Sequence, residues 1–145
     1  MCRVRDVLAA LPVADLIETM RPLSVAPLGQ THPFVLGVAV IRGLPTPVVD
    51  PGVLLEHGPG AHATPSTRFV TVRTGARVIA VAVDEVLGLR RFASATLHAL
   101  PRLVADAPMF GSLAALDDEL VVWLRTARLV PDEIWRELDG STGGA

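Results

Sequence analysis

The sequence predicts an all-β protein, a small barrel or a pair of barrels, on three observations. Short apolar runs recur from end to end, each cut by Gly, Pro or Asp, which is the punctuation of strands rather than helices. Half of the 145 residues are hydrophobic (50%), and 12 glycines and 12 prolines supply turns, a combination that suits many short strands closed into barrels. The clearest helical pattern comes last, after Pro131.

The elements follow in order. Cys2 to Val4 and Val7 to Leu11 read as a hairpin across Arg5-Asp6, with Pro12 ending its second strand. Val13 to Thr19 reads as a helical turn running into a strand. Pro22, Pro27, Gly29 and Pro33 mark a loop before Phe34 to Ile41, whose unbroken apolar run predicts a strand buried on both faces. Arg42-Gly43 interrupts that run, and Leu44 to Val49 returns as a strand that Pro45 and Pro47 assign to an edge or a bulge. Glu56 to Ser66, rich in Gly and Pro, is the best linker and separates two halves of similar size.

Beyond it, Phe69 to Arg73 and Val78 to Val83 flank Thr74-Gly75-Ala76 as a hairpin, glycine supplying the positive φ that such a turn needs. Val86 to Phe92 reads as a further strand, and Leu113 to Leu116 with Glu119 to Leu124 as another hairpin around Asp117-Asp118. Pro131 opens a helix over 131–139. Ile134 and Leu138 share one face with Trp135 beside them, and Asp132 and Glu133 suit its positive end.

Composition excludes several functions. The longest apolar run is far short of the roughly 20 residues that span a bilayer, and Asp6, Asp15 and Glu18 interrupt any secretory signal. A cytoplasmic protein is therefore expected. Cys2 is the only cysteine, so neither an internal disulfide nor a cysteine-built metal site can form. A net charge of -2, with arginines scattered along the chain and no lysine, provides no stripe for nucleic acid and no Schiff-base chemistry. Phosphate-cradling and nucleophile-elbow motifs are missing, and the adjacent carboxylates of Asp84-Glu85 and Asp117-Asp118-Glu119 point to opposite strand faces rather than forming an acid/base pair. The chain is expected to be no enzyme and to hold no cofactor.

Three groups remain as candidate sites. His57 and His62, with Glu56, could ligate a metal if their loop brought them together, but a solvated linker explains them and no metal ligand is assigned. Trp123 and Trp135 lie in apolar runs and read as core. Arg42 differs: it follows eight uncharged residues and precedes a glycine where an apolar strand must break surface. It is either an ordinary turn arginine or one displayed to anchor a partner through its planar fork.

The segment Gly37-Val38-Ala39-Val40-Ile41-Arg42-Gly43-Leu44-Pro45-Thr46-Pro47-Val48-Val49-Asp50 resembles the CheW family of chemotaxis coupling proteins. The family's middle segment reads roughly Gly-x-x-Asn-apolar-Arg-Gly-x-x-x-Pro-apolar-apolar-Asp. Ala10 to Glu18 with Arg21-Pro22 resembles the family's second strand and following turn, and Val81 to Val86 a strand of its second barrel. The resemblance covers nearly the whole chain.

It implies two small five-stranded SH3-like β-barrels packed together, with a first barrel over 12–66 and a second over 67–130 that takes a strand from 1–11. It also implies a non-catalytic bridge between the cytoplasmic tip of a methyl-accepting chemoreceptor and the regulatory domain of a CheA-type histidine kinase. Leu16, Glu18, Gly37 and Arg42 map onto the family's receptor groove, and Leu89 onto a second-barrel position near it. For the kinase, the resemblance suggests second-barrel edge strands, with Arg68, Phe69, Val70 and Val72 as the candidates. Three departures stand out: Val40 in place of asparagine, Pro51 in place of an apolar residue, and a short opening strand. Val40 and the short opening strand keep open a divergent regulator that acts on a kinase or other partner outside receptor arrays. A barrel binding a small ligand or metal through the His57–His62 loop is the remaining alternative.

Overall fold

The computed structural model describes residues 1–28, 32–53, 64–92, 97–98, 110–116 and 119–143. Its strands are β1 (Cys2–Val4), β2 (Val7–Ala10), β3 (Leu16–Met20), β4 (Val35–Ile41), β5 (Leu44–Val49), β6 (Arg68–Thr74), β7 (Arg77–Val83), β8 (Glu85–Val86), β9 (Leu97–His98), β10 (Phe110–Leu116) and β11 (Glu119–Leu124). Single 3-10 turns cover Val13–Asp15 and Thr126–Arg128, and helix α1 covers Asp132–Gly143. The strands form a five-stranded sheet, β3-β6-β7-β5-β4, and a six-stranded sheet, β8-β1-β2-β11-β10-β9.

The three expected hairpins form, β4 and β5 pair as a fourth, and β1–β2 joins the second sheet, where β2 runs parallel to β11. The chain changes sheets between Val83 and Glu85 rather than near residue 66, because β6 and β7 pair with β3 and β5. The strand expected over Val86 to Phe92 shrinks to β8, and Gly88 follows in a positive-φ conformation (113°). The candidate linker lies largely outside the described residues, as do His57 and His62.

Two expectations about the β4–β5 hairpin need correction. Past a register shift at Val35/Gly37, β4 buries one face only, alternating inward Ala39 and Ile41 with exposed Val40, while Val35 joins the cluster shared by both sheets. β5, despite its prolines, lies between β4 and β7. Val38 exchanges both backbone hydrogen bonds with Ala26 (2.8 Å each), so its polar groups face away from β5. Pro47, opposite Val38, and Pro45, opposite Val40, therefore sit where the ladder asks for no N–H from β5. Contact with β7 begins only at Val48 and Val49, past the prolines.

Alternation along the strands divides the core into three. Val70, Val72, Ile79, Val81 and Val49 on one face of the five-stranded sheet meet Cys2, Val4, Ala9, Val122 and Leu124 of the other sheet, with Ile134 of α1. This cluster joins the two sheets. Phe69, Ala80, Val48, Ala39 and Ile41 fill the opposite face of the first sheet, and Leu8, Ala10, Ala114 and Val121 that of the second. Helix α1 seals the shared cluster with Ile134, and Trp135 and Leu138 pack against it. Arg77 lies over the Trp135 ring, 4.5 Å from its centroid, and forks onto Asp139 (3.1 and 2.8 Å), which holds that carboxyl below its usual pKa.

A buried ion cluster ties the hairpin β1–β2 to the five-stranded sheet. Arg5, left-handed in its turn (φ 54°), reaches Asp50 at the end of β5 (Nη2 to Oδ2 2.9 Å) and Asp84 after β7 (Nη1 to Oδ1 3.6 Å). Its backbone N–H also donates to Asp84. Arg5 and Asp50 are both only 8% exposed. Asp50 Oδ1 accepts the Gly52 N–H (3.0 Å), and a Cβ on Gly52 would lie 2.6 Å from Arg5 Cζ. Glycine at 52 leaves room for the guanidinium.

Removing Asp50 would take from a buried guanidinium its nearest carboxylate and leave Asp84 at 3.6 Å, so Asp50→Ala is expected to cost about 3 kcal/mol in urea denaturation; a loss within about 1 kcal/mol would show the pair to be incidental. Burial pushes the Cys2 thiol from 9.0 up to about 11, and native protein should resist a thiol reagent at mildly alkaline pH until denatured. The raised value also means that the folded state loses stability as pH climbs from 9.0 through about 11. That part of the alkaline loss should be absent from Cys2→Ala.

Candidate docking groove

Arg42-Gly43 forms the two-residue turn between β4 and β5, with both residues at positive φ (53° and 77°). That is the pattern of a type I′ turn, whose first position ordinarily takes Asn, Asp or Gly because a larger side chain costs about 1–2 kcal/mol there. Arg42 is held in it nonetheless. Its guanidinium donates to Glu18 through Nη2 (to Oε2, 2.6 Å) and Nε (to Oε1, 3.2 Å), a forked pair that raises its pKa further. With the Arg42 side chain 77% exposed, the pair adds little stability and chiefly orients the guanidinium at the surface. A strained, exposed and oriented cation suits binding better than folding.

Glu18 is itself positioned by a bulge in β3. Leu16 faces Val72 and Glu18 faces Thr71, leaving Ile17 unpaired between them. The buried Thr71 hydroxyl closes the gap, accepting from the Glu18 N–H and donating to the Glu18 carbonyl (both 3.2 Å). The bulge turns Leu16 and Ile17 both toward solvent.

Leu16 and Leu89, 73 positions apart in sequence, come together at the junction of the two sheets. With Val13, Phe92 and Trp123 they line a small pocket of about 50 Å³, and Leu89 is 72% exposed. Trp123 stacks edge-on against Phe92 (centroids 5.6 Å). The arrangement is an apolar groove floor beside a polar fork two residues further along β3. Val13 and Trp123 were not expected there: Val13 sits in a 3-10 turn with no apolar periodicity, and Trp123 reads locally as core.

Gly37 lies apart from this pocket. At φ 142° it passes so close to the residue 26 strap that a Cβ would lie 2.1 Å from the Ala26 carbonyl oxygen. Its role is to let the strap cover the outer edge of β4. The four residues expected to contact a kinase are placed differently again. β6 is not a second-barrel edge but an inner strand of the first sheet, flanked by β3 and β7. Phe69, Val70 and Val72 are buried in the core, and the Arg68 guanidinium is bound to the carbonyls of Pro65 (2.8 Å) and Thr67 (2.7 Å). Neither the backbone nor the apolar side chains of β6 are open to a partner. Among the described residues no cluster of His, Cys, Asp and Glu could hold a metal ion, and no helix is long and apolar enough to cross a membrane.

Comparison with known proteins bears on the same elements. The family model of the CheW-like domain matches residues 1–133. Protein FrzA of Myxococcus xanthus is 37% identical over 105 residues, which is 72% of this chain and 64% of FrzA. The chain thus spans somewhat less than two thirds of that relative. The crystal structure of the scaffolding protein TtCheW from Thermoanaerobacter tengcongensis shares the fold, with a TM-score of 0.71 over 83% of this chain and 79% of that one, at 18% identity.

The two special backbone positions should respond oppositely to substitution. Gly37→Ala is expected to lose more than about 1 kcal/mol, since both its φ and the Ala26 carbonyl oppose a side chain. Arg42→Gly should stay within about 1 kcal/mol of wild type or gain, because relief of the left-handed strain offsets an exposed ion pair. Paired thermal and urea melts read both.

Proposed function

The chain belongs to the CheW-like family of coupling proteins of chemotaxis-type signalling, whose members are non-enzymatic scaffolds, and from that premise we propose that it bridges the cytoplasmic tip of a chemoreceptor and a CheA-type histidine kinase. It acts in the cytoplasm, recruited to receptor clusters by its partners. The observation that carries this reading is the Arg42–Glu18 fork, displayed on a strained turn beside the apolar pocket of Leu16 and Leu89. Apolar contact along the groove provides the affinity, and the guanidinium sets orientation through its remaining donors.

Arg42→Asp should weaken co-sedimentation with receptor signalling-domain particles about tenfold, the effect of losing roughly 1.4 kcal/mol at one polar anchor. Arg42→Gly serves as the fold control. Unchanged co-sedimentation of the Asp variant would end the receptor-groove reading.

Val40 favours a second reading. It is 67% exposed two residues before Arg42, and an aliphatic side chain there offers no hydrogen bond to a receptor. A divergent regulator that engages a kinase or another partner outside receptor arrays would fit such a surface. Incorporation into purified receptor–kinase complexes at the level of an ordinary coupling protein would exclude this reading; failure to incorporate, with kinase binding retained, would favour it.

A further inference from the structure

A second cavity, distinct from the groove pocket, lies at the end of the six-stranded sheet where β11 passes into the 3-10 turn Thr126–Arg128. It measures about 490 Å³ and is walled by Pro12, Gly111, Trp123, Leu124, Arg125 and Arg128 among others. It is a broad hollow open to solvent, with a chiefly apolar lining and a few polar groups to fix orientation. The polar groups here are of one sign. Among the described residues no acidic side chain lines the cavity, and Asp15, the neighbouring carboxylate, accepts from the Thr126 hydroxyl (3.0 Å).

Both arginines are exposed, and among the described residues neither guanidinium has a hydrogen-bond or ion-pair partner. Arg125 is also laid along the wall, since a Cβ on Gly111 would lie 3.3 Å from both its Cγ and its Nε. Trp123 also lines the hollow, and among the described residues its buried indole N–H has no hydrogen-bond partner. Trp123 also walls the pocket under Leu16 and Leu89, so the cavity and the groove share this residue.

We propose that this cavity binds a small organic anion with a flat apolar body, an aryl carboxylate in chemical class. The ring lies against Trp123 and Pro12, and the carboxylate is held by Arg125 and Arg128. The proposal does not depend on the receptor reading, since none of the groove anchors Leu16, Glu18, Arg42 or Leu89 lines this cavity.

Titration with naphthoate, followed by proton–nitrogen correlation NMR, tests it. The protein has two tryptophans, and Trp135→Phe or through-space contacts identify their indole signals. The Trp123 signal is expected to shift saturably and that of Trp135 to stay put. Naphthamide, which keeps the ring and loses the charge, should bind about tenfold more weakly or worse, and so should naphthoate to the double variant R125Q/R128Q. Both arginines are exposed, so the variant should fold, as its unperturbed spectrum would show. Equal binding of naphthoate and naphthamide, undiminished binding by the double variant, or no saturable Trp123 shift up to about 1 mM would overturn the proposal.

Discussion

One buried arginine sets the relation between the two sheets. Arg5 sits at the tip of the first hairpin and binds Asp50 and Asp84, residues 45 and 79 positions away that end two strands of the other sheet. Such a pair brings little net stability compared with an apolar packing of the same volume, because desolvation consumes most of the attraction. What it imposes is geometry. With Arg5 held by both carboxylates, β1 and β2 lie between β8 and β11. The apolar cluster shared by both sheets then forms in one register, with Cys2 and Val4 against the valines of β6 and β7.

The groove is a consequence of that relation. Leu16 belongs to one sheet, while Leu89 and Trp123 belong to the other or to the segment leaving it, so the pocket exists only where the sheets are held together. The polar fork beside it is made within the first sheet alone. A bulge in β3 offers Glu18, and a left-handed turn offers Arg42. Two local distortions, each unfavourable by itself, meet from opposite ends of one sheet, β3 and the β4–β5 turn. Their cost is tolerable because the strands on either side are fully laddered and over-determine the backbone.

Much of this was legible from local pattern. Hairpins could be read because a turn and its flanking strands are neighbours in sequence, and the terminal helix because Pro131, Asp132 and the Ile134/Leu138 spacing are likewise local. Arg42 could be singled out for the same reason: a charge after a long uncharged run is visible without a fold. β6 was misassigned because its apolar pattern reports burial and not which strands lie beside it. Pro45 and Pro47 misled in the same way, since proline signals a missing donor but not whether the ladder needed one there.

By itself, then, the sequence determined the class of fold, most strand limits, the Arg42-Gly43 turn and the resemblance that names the family. Only the tertiary structure decided that Arg5 closes on Asp50 and Asp84, that Val13 and Trp123 join Leu16 and Leu89, and that β6 is an inner strand. The reason is physical. Turns, caps and alternation depend on residues a few positions apart, whereas sheet order, ion pairing and the walls of a pocket depend on groups brought together by chain segments far apart, and periodicity carries no record of those partners.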